Sequence, residues 1–60
     1  MLDTELSLFA SELRARANEI LVRAADTDDL EIQQMMRGVA AGYEKLALRV
    51  EQRVREAVEA

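Results

Sequence analysis

An all-α fold, an antiparallel hairpin of two helices, is what the 60-residue sequence predicts, and three observations predict it. There is no proline, and only Gly38 and Gly42 interrupt a chain dominated by Ala, Leu, Glu, Arg and Gln, the good helix formers. Apolar residues recur at steps of three and four in two separate stretches, 4–25 and 29–59. Between them lies a short polar knot, Asp26-Thr27-Asp28-Asp29, with the composition of a turn and a cap. Residues 1–60 form a single helical-hairpin domain on this reading, too short to hold a second core.

In the first predicted helix, Leu6, Phe9, Leu13, Ala17, Ile20 and Ala24 fall within about 40° of one line at 100° per residue, and Ala10 and Leu21 widen the stripe. Leu8, Ala15 and Val22 repeat at steps of seven on the opposite side. They read either as scattered surface residues or as a second packing surface. In the knot, Asp28 is placed as the N-cap of the second helix, and Glu31, three positions on, is placed to reach back to its N–H in a capping box. Asp26 and Thr27 are alternative caps. Carboxylates here also favour the positive end of the helix dipole, while Arg23 sits near the negative end of the first helix. The second helix carries the longer stripe: Ile32, Met36, Val39, Ala40, Tyr43, Leu46, Ala47, Val50, Val54, Ala57 and Val58.

A connection of about three to five residues forces the helices antiparallel. Pairing the arms from the turn places Leu6 near residue 49 or 50, so that Val54, Ala57 and Val58 run past the first helix and need a cover. A lone pair of helices also closes no third layer over its core. The expected solution is two hairpins packed as a four-helix bundle. Its predicted core is Leu6, Phe9, Leu13, Ile20, Met36, Val39, Tyr43, Leu46 and Val50, and Val54 and Val58 join that set in the expected interface.

Chemistry has little to work with. The chain has no His and no Cys, and Thr4, Ser7, Ser11 and Thr27 have no base at helical spacing, so no catalytic residue is expected. The acids Asp26, Asp28, Asp29 and Glu31 lack the sixth-position glycine and the alternating ligands of an EF-hand, with Leu30 and Ile32 arriving too soon, so neither a metal nor a cofactor is expected. "GVAAG", residues 38–42, has the small-xxx-small spacing of close helix crossings, but Arg37, Glu44 and Lys45 exclude a membrane span there. It reads either as a close crossing by another helix or as a locally weak helix. Glu12 with Arg16, Glu19 with Arg23 and Glu51 with Arg55 are spaced for i, i+4 pairs flanking the stripes. Tyr43 reads as core with its hydroxyl at the edge, and Met35 and Met36 either as gap-filling side chains or as an adaptable partner surface.

Eight basic and twelve acidic residues give a net charge of −4, which argues against nucleic acid and anionic membranes as partners. Arg14, Arg16, Arg23, Arg37, Arg49, Arg53 and Arg55 are interleaved with acids and gather on no single face. The acidic opening "MLDTELSLFA" is unlike a secretory signal, and with no cysteine a cytoplasmic location is expected.

Within the segment Asn18 to Arg53, the stretch "RAADTDDLEIQQMMRGVAAGYEKLALRVEQR", residues 23–53 and a little over half the chain, resembles short uncharacterised helical-hairpin proteins of alphaproteobacteria. The features shared are an alanine-rich first helix, a turn of the Thr-Asp/Pro-Glu type, where many of those proteins have proline and this chain has Asp28 or Asp29, and a Tyr-Glu-x-Leu-Ala element, here Tyr43, Glu44, Leu46 and Ala47. The resemblance implies a helical hairpin and brings no activity with it. The expected role is a self-associating interaction or regulatory module. One alternative is an adaptor that completes a bundle with a different helical protein, and the more distant one is a nucleic-acid-binding regulator.

Overall fold

The structure, a computed structural model, describes residues 2–59. Two helices account for all but the turn: α1, Leu2–Ala25, and α2, Leu30–Glu59. They pack against each other along their length in a rod with extents of 47 × 14 × 10 Å. α1 starts two residues before the stretch predicted for it, since nothing at positions 2 and 3 opposes a helix.

The turn is built by both helices. At the end of α1, the Asp26 N–H donates to the Arg23 carbonyl at 3.1 Å and the Thr27 N–H to the Ala24 carbonyl at 3.2 Å. The Thr27 hydroxyl also donates to the Arg23 carbonyl, at 3.0 Å. These bonds satisfy carbonyls that a helix terminus leaves orphaned. With Asp26 and Thr27 occupied there, the N-cap of α2 falls on Asp29, one residue later than the predicted Asp28. Asp29 Oδ1 accepts from the N–H groups of Glu31 and Ile32 at 3.0 and 3.2 Å, and the Asp29 carbonyl accepts the first helical bond, from Gln33, at 2.9 Å. Glu31 is then the second helical residue and Ile32 the third, so the predicted reciprocal capping box has no carboxylate in the required place. Gln33 Nε2 donates to the Ala24 carbonyl at 2.8 Å and ties the start of α2 to the end of α1.

The seam between the helices repeats every seven residues. On α1 it runs Leu6, Ala10, Leu13, Ala17, Ile20, Ala24, and on α2 Met36, Ala40, Tyr43, Ala47, Val50, Val54. The alanines are the buried members, each 0–1 % exposed, and Leu13 joins them at 7 %. The larger partners Leu6, Ile20, Met36, Tyr43, Val50 and Val54 lie at the edges, half-buried. An alanine at every seventh position lets two helices approach closely, as in knobs-into-holes packing with very small knobs.

Within one hairpin, three members of the core expected for the bundle lie outside this seam. Phe9, Val39 and Leu46 are 48 %, 53 % and 51 % exposed, and the adjacent Ala10, Ala40 and Ala47 take their places. A wide apolar arc admits either choice by periodicity, and close approach selects the smaller residue, leaving the larger one 100° around the helix. Leu13 and Ala47 share one cluster, and toward the open end the seam continues through Leu6 on α1 and Val50 and Val54 on α2, all half-buried. Val54 is therefore half-covered by α1, while Ala57 and Val58 remain exposed.

Candidate interaction surface

The two flanks of the seam have opposite character. On one, Arg14 of α1 reaches Glu51 of α2 with both ends of its guanidinium fork, Nη2 to Oε1 at 2.6 Å and Nε to Oε2 at 3.1 Å. The hydrogen bond and the charge of Glu51 raise the Arg14 pKa above its ordinary value, Glu44 adding to the effect. The hydrogen bond from Arg14 holds the Glu51 carboxyl below its ordinary value, aided by the charges of Arg14 and Arg55. Bidentate geometry fixes the rotation of one helix against the other, although both side chains are well solvated. Periodicity alone does not reveal this pair, because it depends on the register between the helices. Among the predicted i, i+4 pairs, Glu51 is taken by Arg14, and Arg16 stands 3.8 Å from Glu19.

On the other flank the residues displaced from the core line up. Ile32, Val39 and Leu46 are seven residues apart on α2, 48–53 % exposed, and Phe9 occupies the corresponding position on α1. Met35, 64 % exposed, and Gly42 interleave with them. The set Met35, Val39, Gly42, Leu46 is the buried seam Met36, Ala40, Tyr43, Ala47 moved by one residue, so α2 carries two apolar stripes about 100° apart and spends one of them on α1. Gly42 serves nothing inside the hairpin: a Cβ built there meets no atom within 4 Å, and the same holds at Gly38.

Of the residues predicted for the interface, Leu6, Leu13, Ile20, Met36, Tyr43, Val50 and Val54 lie in the seam of the hairpin itself, and Phe9, Val39, Leu46 and Val58 lie outside it. On the back of α1, Leu8 and Val22 are 60 % and 64 % exposed, with Ala15 exposed between them. The depressions along the rod are shallow grooves between exposed side chains, one of them lined by Arg49, Val50, Gln52, Arg53 and Glu56. Among the described residues no three carboxylates converge as metal ligands would, and no helix is long and apolar enough to cross a membrane. No known protein family, curated protein or solved structure matches the chain.

Proposed function

We propose that this chain is a non-enzymatic, cytoplasmic helical-hairpin module whose work is to associate with itself, as a dimeric four-helix bundle. The observation that carries the reading is the unused stripe of α2, where Ile32, Met35, Val39 and Leu46 face water about half-exposed or more. Isolated exposed apolar residues are ordinary, but these share one face, at the spacing of a packed helix seam.

The energetics point the same way. A buried methylene contributes about 0.8 kcal/mol and a buried leucine about 1.5–3 kcal/mol, so a core of five alanines and one leucine is a thin source of stability. Chains of this size commonly need a disulfide, a metal or a partner subunit, and this one has no Cys or His to supply the first two in their usual forms. A second copy laid on the free stripe adds the larger side chains to the core, and folding and association then reinforce each other by mass action.

Sedimentation equilibrium over a concentration series tests this. The expected result is dimer mass at micromolar concentration, with a thermal midpoint that rises with concentration. A folded monomer throughout the series overturns the reading and turns attention to a hairpin completed by a different protein.

A further inference from the structure

Resting on that reading of self-association, a more specific arrangement follows from the order of residues along α2. We propose that two copies pair α2 against α2 in antiparallel fashion, with a two-fold axis passing at Val39. The free stripe is close to palindromic about this residue. Ile32 and Leu46 lie seven residues either side of it, so the axis sets Ile32 against the partner's Leu46. Met35 and Gly42 lie four and three residues either side, so the axis sets the long, flexible Met35 over the partner's Gly42. A glycine within a helix costs roughly 1 kcal/mol relative to alanine, and the open space at Gly42 leaves that cost unanswered within one hairpin. A notch that receives a methionine answers it.

The charges agree with the same axis. At the outer rim of the stripe Glu31 falls opposite the partner's Lys45 and the partner's Arg49. On α1 the residues about level with Val39 are 18–21, bracketed by the Gln33–Ala24 hydrogen bond and the cluster that holds Leu13 and Ala47. A parallel pairing of the two α2 helices would instead stack like charge on like at each of these rim positions, which disfavours it. Phe9 lies beyond the shared overlap.

Two measurements test the arrangement. The chain has no cysteine of its own, so single Cys variants report directly on the axis. Under mild oxidation Val39→Cys should give a covalent dimer, Leu46→Cys alone little, and an equimolar mixture of Ile32→Cys with Leu46→Cys a mixed dimer. Secondly, Glu31→Lys and the double variant Lys45→Glu/Arg49→Glu should each self-associate roughly tenfold more weakly, whereas their mixture pairs as tightly as the parent because both rim contacts become complementary. Phe9→Ala should leave the dimer constant unchanged. If the parent sediments as a monomer, self-association itself fails. If the parent is a dimer but Leu46→Cys crosslinks to itself as readily as Val39→Cys, or the charge variants show no preference for each other, association stands and the two-fold at Val39 is wrong.

Discussion

Replacing Leu13 and Leu46 by alanine separates the two stripes of this molecule by magnitude. Both are leucines in amphipathic helices, but Leu13 is 7 % exposed against Ala10, Ala47, Tyr43 and Val50, whereas Leu46 is 51 % exposed. Leu13→Ala loses nearly the full transfer free energy of the side chain and leaves a gap that its alanine neighbours cannot reach across. Tyr43 and Val50 close part of it from the edge, which places the cost at about 2–3 kcal/mol, toward the low end of core leucine deletions. Leu46 withdraws only half its surface from water within one hairpin, so Leu46→Ala costs about 1 kcal/mol there. Urea unfolding followed by far-ultraviolet circular dichroism reads both. With a slope of about 1 kcal/mol per molar for a chain this small, the Leu13 midpoint falls by roughly 2–3 M, enough to leave the variant largely unfolded, and that of Leu46 by roughly 1 M. The comparison is made at a dilution where the parent sediments as a monomer, and repeated at high concentration, where the Leu46 deficit should grow. Equal losses for both variants at the low concentration would refute the assignment of Ala47, rather than Leu46, to the seam.

Gly38→Ala should stabilise the monomer by about 1 kcal/mol, because the new methyl meets open space and the helix gains propensity; its melting temperature should rise by about 4–8 °C. Asp29→Ala should cost about 1 kcal/mol through loss of the cap to Glu31 and Ile32, while Asp28→Ala stays near neutral; chemical denaturation of the two variants side by side checks the pair. The Arg14–Glu51 pair makes a pH-dependent contribution. The folded pKa of Glu51 is depressed, so its stabilisation is present above the unfolded value and is lost as pH falls through the folded one, while Arg14 stays charged throughout. The stability difference between the parent and Glu51→Gln should therefore be largest near neutrality and vanish in acid, which a denaturation series from pH 7 to pH 3 records.

Helices, turn and handed-back topology were legible in the sequence because each rests on local chemistry: helix-forming residues without proline, and acids where a cap is needed. The cap falls on Asp29, one residue past the position the spacing favours, because the end of α1 competes for the same knot and Thr27 closes α1 with its hydroxyl. The seam was only half legible. Leu6, Leu13, Ile20, Met36, Tyr43 and Val50 belong both to the expected core and to the seam, but the expected core holds Phe9, Val39 and Leu46 where the seam buries Ala10, Ala40 and Ala47. In a two-helix rod the distance between axes decides instead, and small residues win at the line of contact. The Arg14–Glu51 bridge joins residues 37 apart, and only the register between helices brings them together.

The alanines that repeat every seventh residue have a mechanical corollary. Two rows of near-identical small bumps, Ala10, Ala17 and Ala24 against Ala40 and Ala47, offer almost the same fit if one helix slips past the other by one heptad, about 10 Å at 1.5 Å per residue. The tether between the rods, only Asp26–Asp29, is too short to permit such a slip and is itself stitched to both ends by Thr27, Asp29 and Gln33. Vernier-like ambiguity in the rods is thus resolved at the bend, and a chain with a long flexible insertion there would be free to settle into staggered forms.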